Sequence, residues 1–137
     1  MSRHKEPLDL FALPNKIYRR TPSATLGENR TVLQNVKVMR RIRPKKGISI
    51  KTILKDSNAR VVFERIQAGS EFPRHSHLDA TDVFYVVQGS GKILLSEKKL
   101  SAGSGDYIVV PPGIEHGVVN DSEHDLTLLL VQVHQDQ

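Results

Sequence analysis

The chain has 137 residues, of which 38% are apolar and 5% aromatic, with no tryptophan and no cysteine. That length suits one domain rather than two. The lack of cysteine excludes disulfides, thiolate catalysis, iron–sulfur clusters and cysteine-type zinc sites. The net charge of +5 is unevenly spread: residues 1–60 hold 15 of the 20 Lys and Arg but 4 of the 15 Asp and Glu, so the remainder is acidic.

The apolar runs Val83–Val87 and Leu128–Val131 are far shorter than the roughly 18 residues of a membrane helix, so no transmembrane segment is expected. Met1–Pro7 leads into no apolar stretch of the secretory type, and a soluble cytoplasmic protein is the expectation. Arg40, Arg41, Arg43, Lys45 and Lys46 form a basic cluster. Pro44 and Gly47 break it and no aromatic interleaves it, so it reads as a solvated edge rather than a nucleic-acid surface.

In chain order, residues 1–30 contain Pro7, Pro14 and Pro22 without sustained periodicity, and read as an irregular N-terminal arm. A single β domain is expected over 31–137. Its predicted strands are Val32–Met39, Ile48–Leu54, Val61–Ile66, Phe72–His77, Asp82–Val87, Lys92–Ser96, Tyr107–Val110, Gly117–Val119 and Leu126–Val133. Gly89-Ser90-Gly91, Ala102–Asp106 and Pro111-Pro112-Gly113 punctuate them. Many short strands with Gly and Pro between them, and no amphipathic helix after residue 30, indicate an all-β sandwich or barrel.

Three of the six histidines stand in suggestive places. His75 and His77 are two apart, so on a strand both imidazoles share one face, with Cα atoms roughly 6–7 Å apart. Asp82 opens the following apolar strand, and His116 follows the Pro-Pro-Gly turn. Three imidazoles and a carboxylate form a mixed nitrogen and oxygen set that suits Fe, Mn, Co, Ni, Cu or Zn. His4, His124 and His134 read as ordinary surface histidines.

The stretch GSEFPRHSHLDATDVFYVVQG (69–89) spaces Gly69, His75, His77, Asp82 and Gly89, and GDYIVVPPGIEHGVVN (105–120) spaces Gly105, Pro111, Gly113, His116 and Asn120. These resemble the two conserved motifs of the cupin superfamily, in order, with 15 residues between them. The one departure is Asp82, where the family pattern has Glu. The shorter side chain reaches about 1.5 Å less far, while metal bonds tolerate about ±0.2 Å. Asp79 continues the alternation from His75 and His77 and is the alternative carboxylate; Asp82 is preferred because it keeps the spacing to Gly89.

The resemblance implies a cupin-type jelly-roll β-barrel holding one divalent transition metal per chain on His75, His77, Asp82 and His116. Cupins include dioxygenases, isomerases, lyases, decarboxylases and plain binders. The expectation is therefore a metal-dependent enzyme acting on a small polar metabolite such as a sugar, organic acid or carbonyl compound. The alternative is a non-catalytic binding or sensing module. Similar small cupins are often homodimers, so a homodimer is expected. Parity places Phe84 and Val86 inward with Asp82, and Phe84 and Tyr107 are the substrate-pocket candidates. Gln88, Arg65 and Glu64 are candidate polar groups near the pocket but read rather as exposed on the outer face, and no second carboxylate or histidine is assigned as a general base.

Overall fold

The computed structural model describes Phe11 and residues 33–135. Ten strands follow one another: β1 (Ile42–Lys45), β2 (Ile48–Lys55), β3 (Ala59–Ile66), β4 (Glu71–His75), β5 (Ala80–Gln88), β6 (Ser90–Leu95), β7 (Lys98–Gly103), β8 (Tyr107–Val110), β9 (His116–Val119) and β10 (Leu126–His134). They form a six-stranded sheet in the order β1-β2-β3-β10-β5-β8 and a four-stranded sheet in the order β4-β9-β6-β7. All pairings are antiparallel. This is the expected jelly roll. Among the described residues no helix is long and apolar enough to cross a membrane.

Period-2 alternation decides what lies between the sheets. Val62 and Ile66 of β3, Phe84 and Val86 of β5, and Leu126, Leu128 and Leu130 of β10 meet Ile93 and Val118 of the smaller sheet in one apolar core. Cα register sets these inward residues in rows across the large sheet. One row runs Arg60, Gln132, Asp82, Val110; the next runs Val62, Leu130, Phe84, Ile108; a third runs Glu64, Leu128, Val86.

Several sequence expectations shift. Val32–Met39 is not a strand over its described part: Val36–Val38 is a short 3₁₀ turn. The Asn35 side chain accepts a hydrogen bond from the Lys37 amide at 2.9 Å, the local competition by which Asn disfavours extended pairing. Strands β1 and β7 were not predicted, because as solvated edges they carry little apolar alternation. Strand β1 holds Arg43, Pro44 and Lys45, so part of the basic cluster is an edge strand; charge and proline there deter pairing with other chains. The expected arm lies outside the described residues except for Phe11. That ring is buried beneath Lys51 Nζ at 5.0 Å and the Arg65 guanidinium at 5.3 Å, on the outer face of β2 and β3.

Gly89 and Gly117 are among the glycines that the backbone requires. Gly89 has φ +94°, and a Cβ there would lie 2.5 Å from the Asp125 carbonyl oxygen. Gly117 lets β9 approach β4: its Cβ would stand 2.9 Å from the Phe72 carbonyl oxygen.

Candidate metal centre

His75 ends β4, His116 begins β9, and the two are register partners in the small sheet. Asp82 projects inward from β5 in the facing sheet, and His77 follows β4 in the loop rather than extending the strand. One nitrogen from each histidine and one Asp82 oxygen lie within 4.8 Å of one another. The four candidate residues are thus brought together. Asp79, the alternative carboxylate, is exposed and outside this group.

The cluster is oriented from behind. The Pro73 carbonyl accepts from His75 Nδ1 at 2.9 Å and the Ile114 carbonyl from His116 Nδ1 at 2.8 Å. With Nδ1 committed to a carbonyl, Nε2 is the nitrogen left to bind a metal. His116 Nε2 donates to Asp82 Oδ2 at 2.9 Å, and His77 Nε2 is 3.6 Å from the same oxygen. Gln132 Nε2 donates to the other oxygen, Asp82 Oδ1, at 3.0 Å, fixing the carboxylate plane.

Protonation follows from these contacts. Burial pushes the Asp82 carboxyl upward, but hydrogen bonds from His116 and Gln132 and the neighbouring imidazoles outweigh it and hold it below its ordinary range. Burial lowers His116, yet the bond to Asp82 and the one to the Ile114 carbonyl raise it overall. His77 is lowered, chiefly by burial. Both ring nitrogens of His116 face acceptors, the pattern of an imidazolium, so Nε2 would give up its proton in order to serve as a metal ligand. The donor chemistry fits a divalent transition metal: three imidazoles with two Nδ1 atoms anchored, and one carboxylate whose Oδ2 faces the imidazoles while Gln132 holds its Oδ1.

The cluster opens on a cavity of about 160 Å³, walled by Phe72, Phe84, Val118 and Leu130 and by the polar side chains of Arg60, Glu64 and Gln132. Phe84 points inward and forms one of these walls. Tyr107 does not line this cavity: it is 72% exposed and borders a neighbouring cleft, shared with Phe84, beside Leu100 and Ala102. The pairing of Phe84 with Ile108 turns Ile108 and Val110 inward and Tyr107 outward. Glu64 is a larger correction. It is 2% exposed, faces the cavity, and its carboxyl is pushed up to about 7, mainly by burial. Arg65, its neighbour, lies on the outer face by Phe11 and Asp125, and Gln88 is half-buried at the end of β5.

The model of the cupin domain matches residues 62–132, just over half the chain, from within β3 to within β10. The chain belongs to the cupin family. Among solved cupin folds, KdgF from a Halomonas species is 25% identical with a TM-score of 0.63, covering 71% of this chain and 90% of its own. A predicted oxalate decarboxylase from Thermotoga maritima (22% identity, TM-score 0.64, 69% and 90% covered) and an RmlC-like cupin from Shewanella frigidimarina (20%, 0.64, 72% and 86%) share the fold. An uncharacterized protein, MJ1618, of Methanocaldococcus jannaschii is 28% identical over 64 residues, 47% of this chain and 51% of that protein. The match therefore spans about half of that relative's length.

Proposed function

We propose that this cupin is a metal-dependent enzyme acting on a small polar metabolite. One observation carries the reading: His75, His77, Asp82 and His116 converge at the wall of an enclosed cavity that also holds polar groups able to meet a ligand. His75 and His77, both half-buried, would hold the metal from the open side, and buried Asp82 and His116 from within. Once bound, a divalent transition metal supplies Lewis acidity to a substrate oxygen, chemistry compatible with isomerase, lyase, decarboxylase or dioxygenase reactions. The protein's part is to fix the ligand atoms through Pro73, Ile114 and Gln132, and to surround the substrate with the apolar Phe72, Phe84, Val118 and Leu130.

Elemental analysis of untagged protein, purified without chelator, tests the metal. About one transition metal per chain is expected, lost in the His75→Ala/His116→Ala variant and weakened in Asp82→Ala. A metal-free protein that stays metal-free after reconstitution sinks the reading. Saturable ligand binding without turnover by the loaded protein would instead favour the non-catalytic module.

The homodimer belongs to the same proposal. The outer face of β10, β5 and β8 supports it with two apolar rows, Leu129–Tyr85–Tyr107 and Val131–Val83–Val109, ending at the edge strand β8.

A further inference from the structure

The metal cluster occupies one side of the cavity, and β3 contributes something different to the other. By strand alternation Arg60, Val62, Glu64 and Ile66 point inward. Arg60 is level with Gln132 and Asp82, at the height of the cluster, while Glu64 sits two inward rows deeper beside Leu128. Both line the cavity, and neither makes a hydrogen bond or ion pair among the described residues. An almost fully buried carboxyl without a hydrogen bond or salt bridge from the described residues, drawn only by the more distant charges of Arg60 and His116, costs stability that an apolar side chain of similar size would not. Groups kept at such a cost concentrate at functional sites.

Size limits what the pair can meet. The cavity volume, about 160 Å³, is close to that of a roughly 150 Å³ cavity that accommodates benzene, so it suits about six non-hydrogen atoms. Arg60 offers a planar fork of donors, which matches a carboxylate. Glu64 at the closed end offers a single polar group among apolar walls.

Resting on the metal-centre reading above, we propose that Arg60 and Glu64 form the substrate-recognition wall for a small carboxylic acid bearing a hydroxyl or oxo group. Arg60 holds the carboxylate on the open side, and Glu64 hydrogen-bonds the hydroxyl or oxo oxygen at the closed end. A carboxylate accepts from a hydroxyl, and a protonated carboxyl donates to an oxo oxygen, so the one side chain suits either group.

Calorimetric titration of lactate and of its neutral amide, lactamide, tests the wall. The titrations use manganese-loaded and chelator-treated protein, for the wild type, Arg60→Gln and Glu64→Leu, with metal content measured in each. Wild-type loaded protein is expected to prefer lactate by about ten-fold or more, and Arg60→Gln to remove most of that preference while retaining metal. Glu64→Leu is expected to weaken lactate about ten-fold and to raise the melting temperature, since a buried unpartnered carboxyl is replaced by a side chain that fits the core. An unchanged lactate-to-lactamide ratio in Arg60→Gln, unchanged lactate affinity in Glu64→Leu, or no lactate binding to any form would overturn the proposal. Failure of the metal reading shows separately, as absent manganese in the wild type; the titrations of chelator-treated protein then still report on Arg60 and Glu64.

Discussion

A carboxyl in an apolar cavity prefers its protonated form, and Glu64 therefore links stability to pH. Its folded value, about 7, lies above its ordinary 4.5, because burial outweighs the opposing pull of Arg60. The associated stability is fully present below the unfolded value and is lost as pH rises through about 7. Over that window the loss amounts to about 3 kcal/mol. His116, raised by Asp82, loses its contribution in the same alkaline direction; Asp82, held low, loses its own only as pH falls into the acid range. Replacing Glu64 with Gln isolates the first effect. In urea unfolding of chelator-treated protein, the stability difference between pH 5 and pH 8 should shrink by about 2.5 kcal/mol in Glu64→Gln. A difference equal to that of the wild type would mean that the carboxyl is solvated and ionised throughout.

At the scale of elements, the second motif does more than deliver His116. Asn120, fully buried at the end of β9, donates to the Ile66 carbonyl at 2.8 Å and to the His124 carbonyl at 2.7 Å, while its own oxygen accepts from the Ser122 amide at 3.0 Å. It joins the end of β3 to the turn that leads into β10. Asn120→Ala removes the side-chain donor to the buried Ile66 carbonyl and the acceptor of the Ser122 amide and hydroxyl, and should destabilise by about 2–4 kcal/mol in denaturant unfolding. Metal content should stay intact, since the cluster lies at the other end of β9; loss of metal along with stability would tie the latch to the centre. Asn120 and the four clustered residues were legible because motif spacing encodes them. Glu64, Arg60 and Gln132 were not. Each is a polar residue on a stripe that is otherwise apolar, as in Val62-Glu64-Ile66 and Leu128-Leu130-Gln132. Yet β3 is apolar on both faces, with Val61 and Phe63 opposite Val62 and Ile66, so alternation alone does not say which face is inside. Only the pairing of β3 with β10, distant in sequence, settles it. The same ambiguity put Tyr107 on the wrong side of β8.

For the whole molecule, the two faces of the large sheet differ in what covers them. Inside, the small sheet buries the apolar rows. Outside, Phe11 covers part of β2 and β3, but Tyr107 is 72%, Val109 50%, Val133 47% and Tyr85 42% exposed on adjoining strands. Clustered apolar exposure of this kind marks an interaction surface rather than ordinary surface scatter. A second copy offering the same rows across a two-fold axis would bury each of these side chains, at about 1.5–3 kcal/mol for a large one fully removed from water. Tyr107→Asp places a charge at the centre of that contact and leaves the metal cavity untouched, because Tyr107 faces away from it. Light scattering over a range of concentrations should give a dimer mass for the wild type and a monomer mass for the variant, with equal metal content. A wild type that is monomeric at every concentration removes the dimer, whereas a variant that remains dimeric moves the interface away from β8.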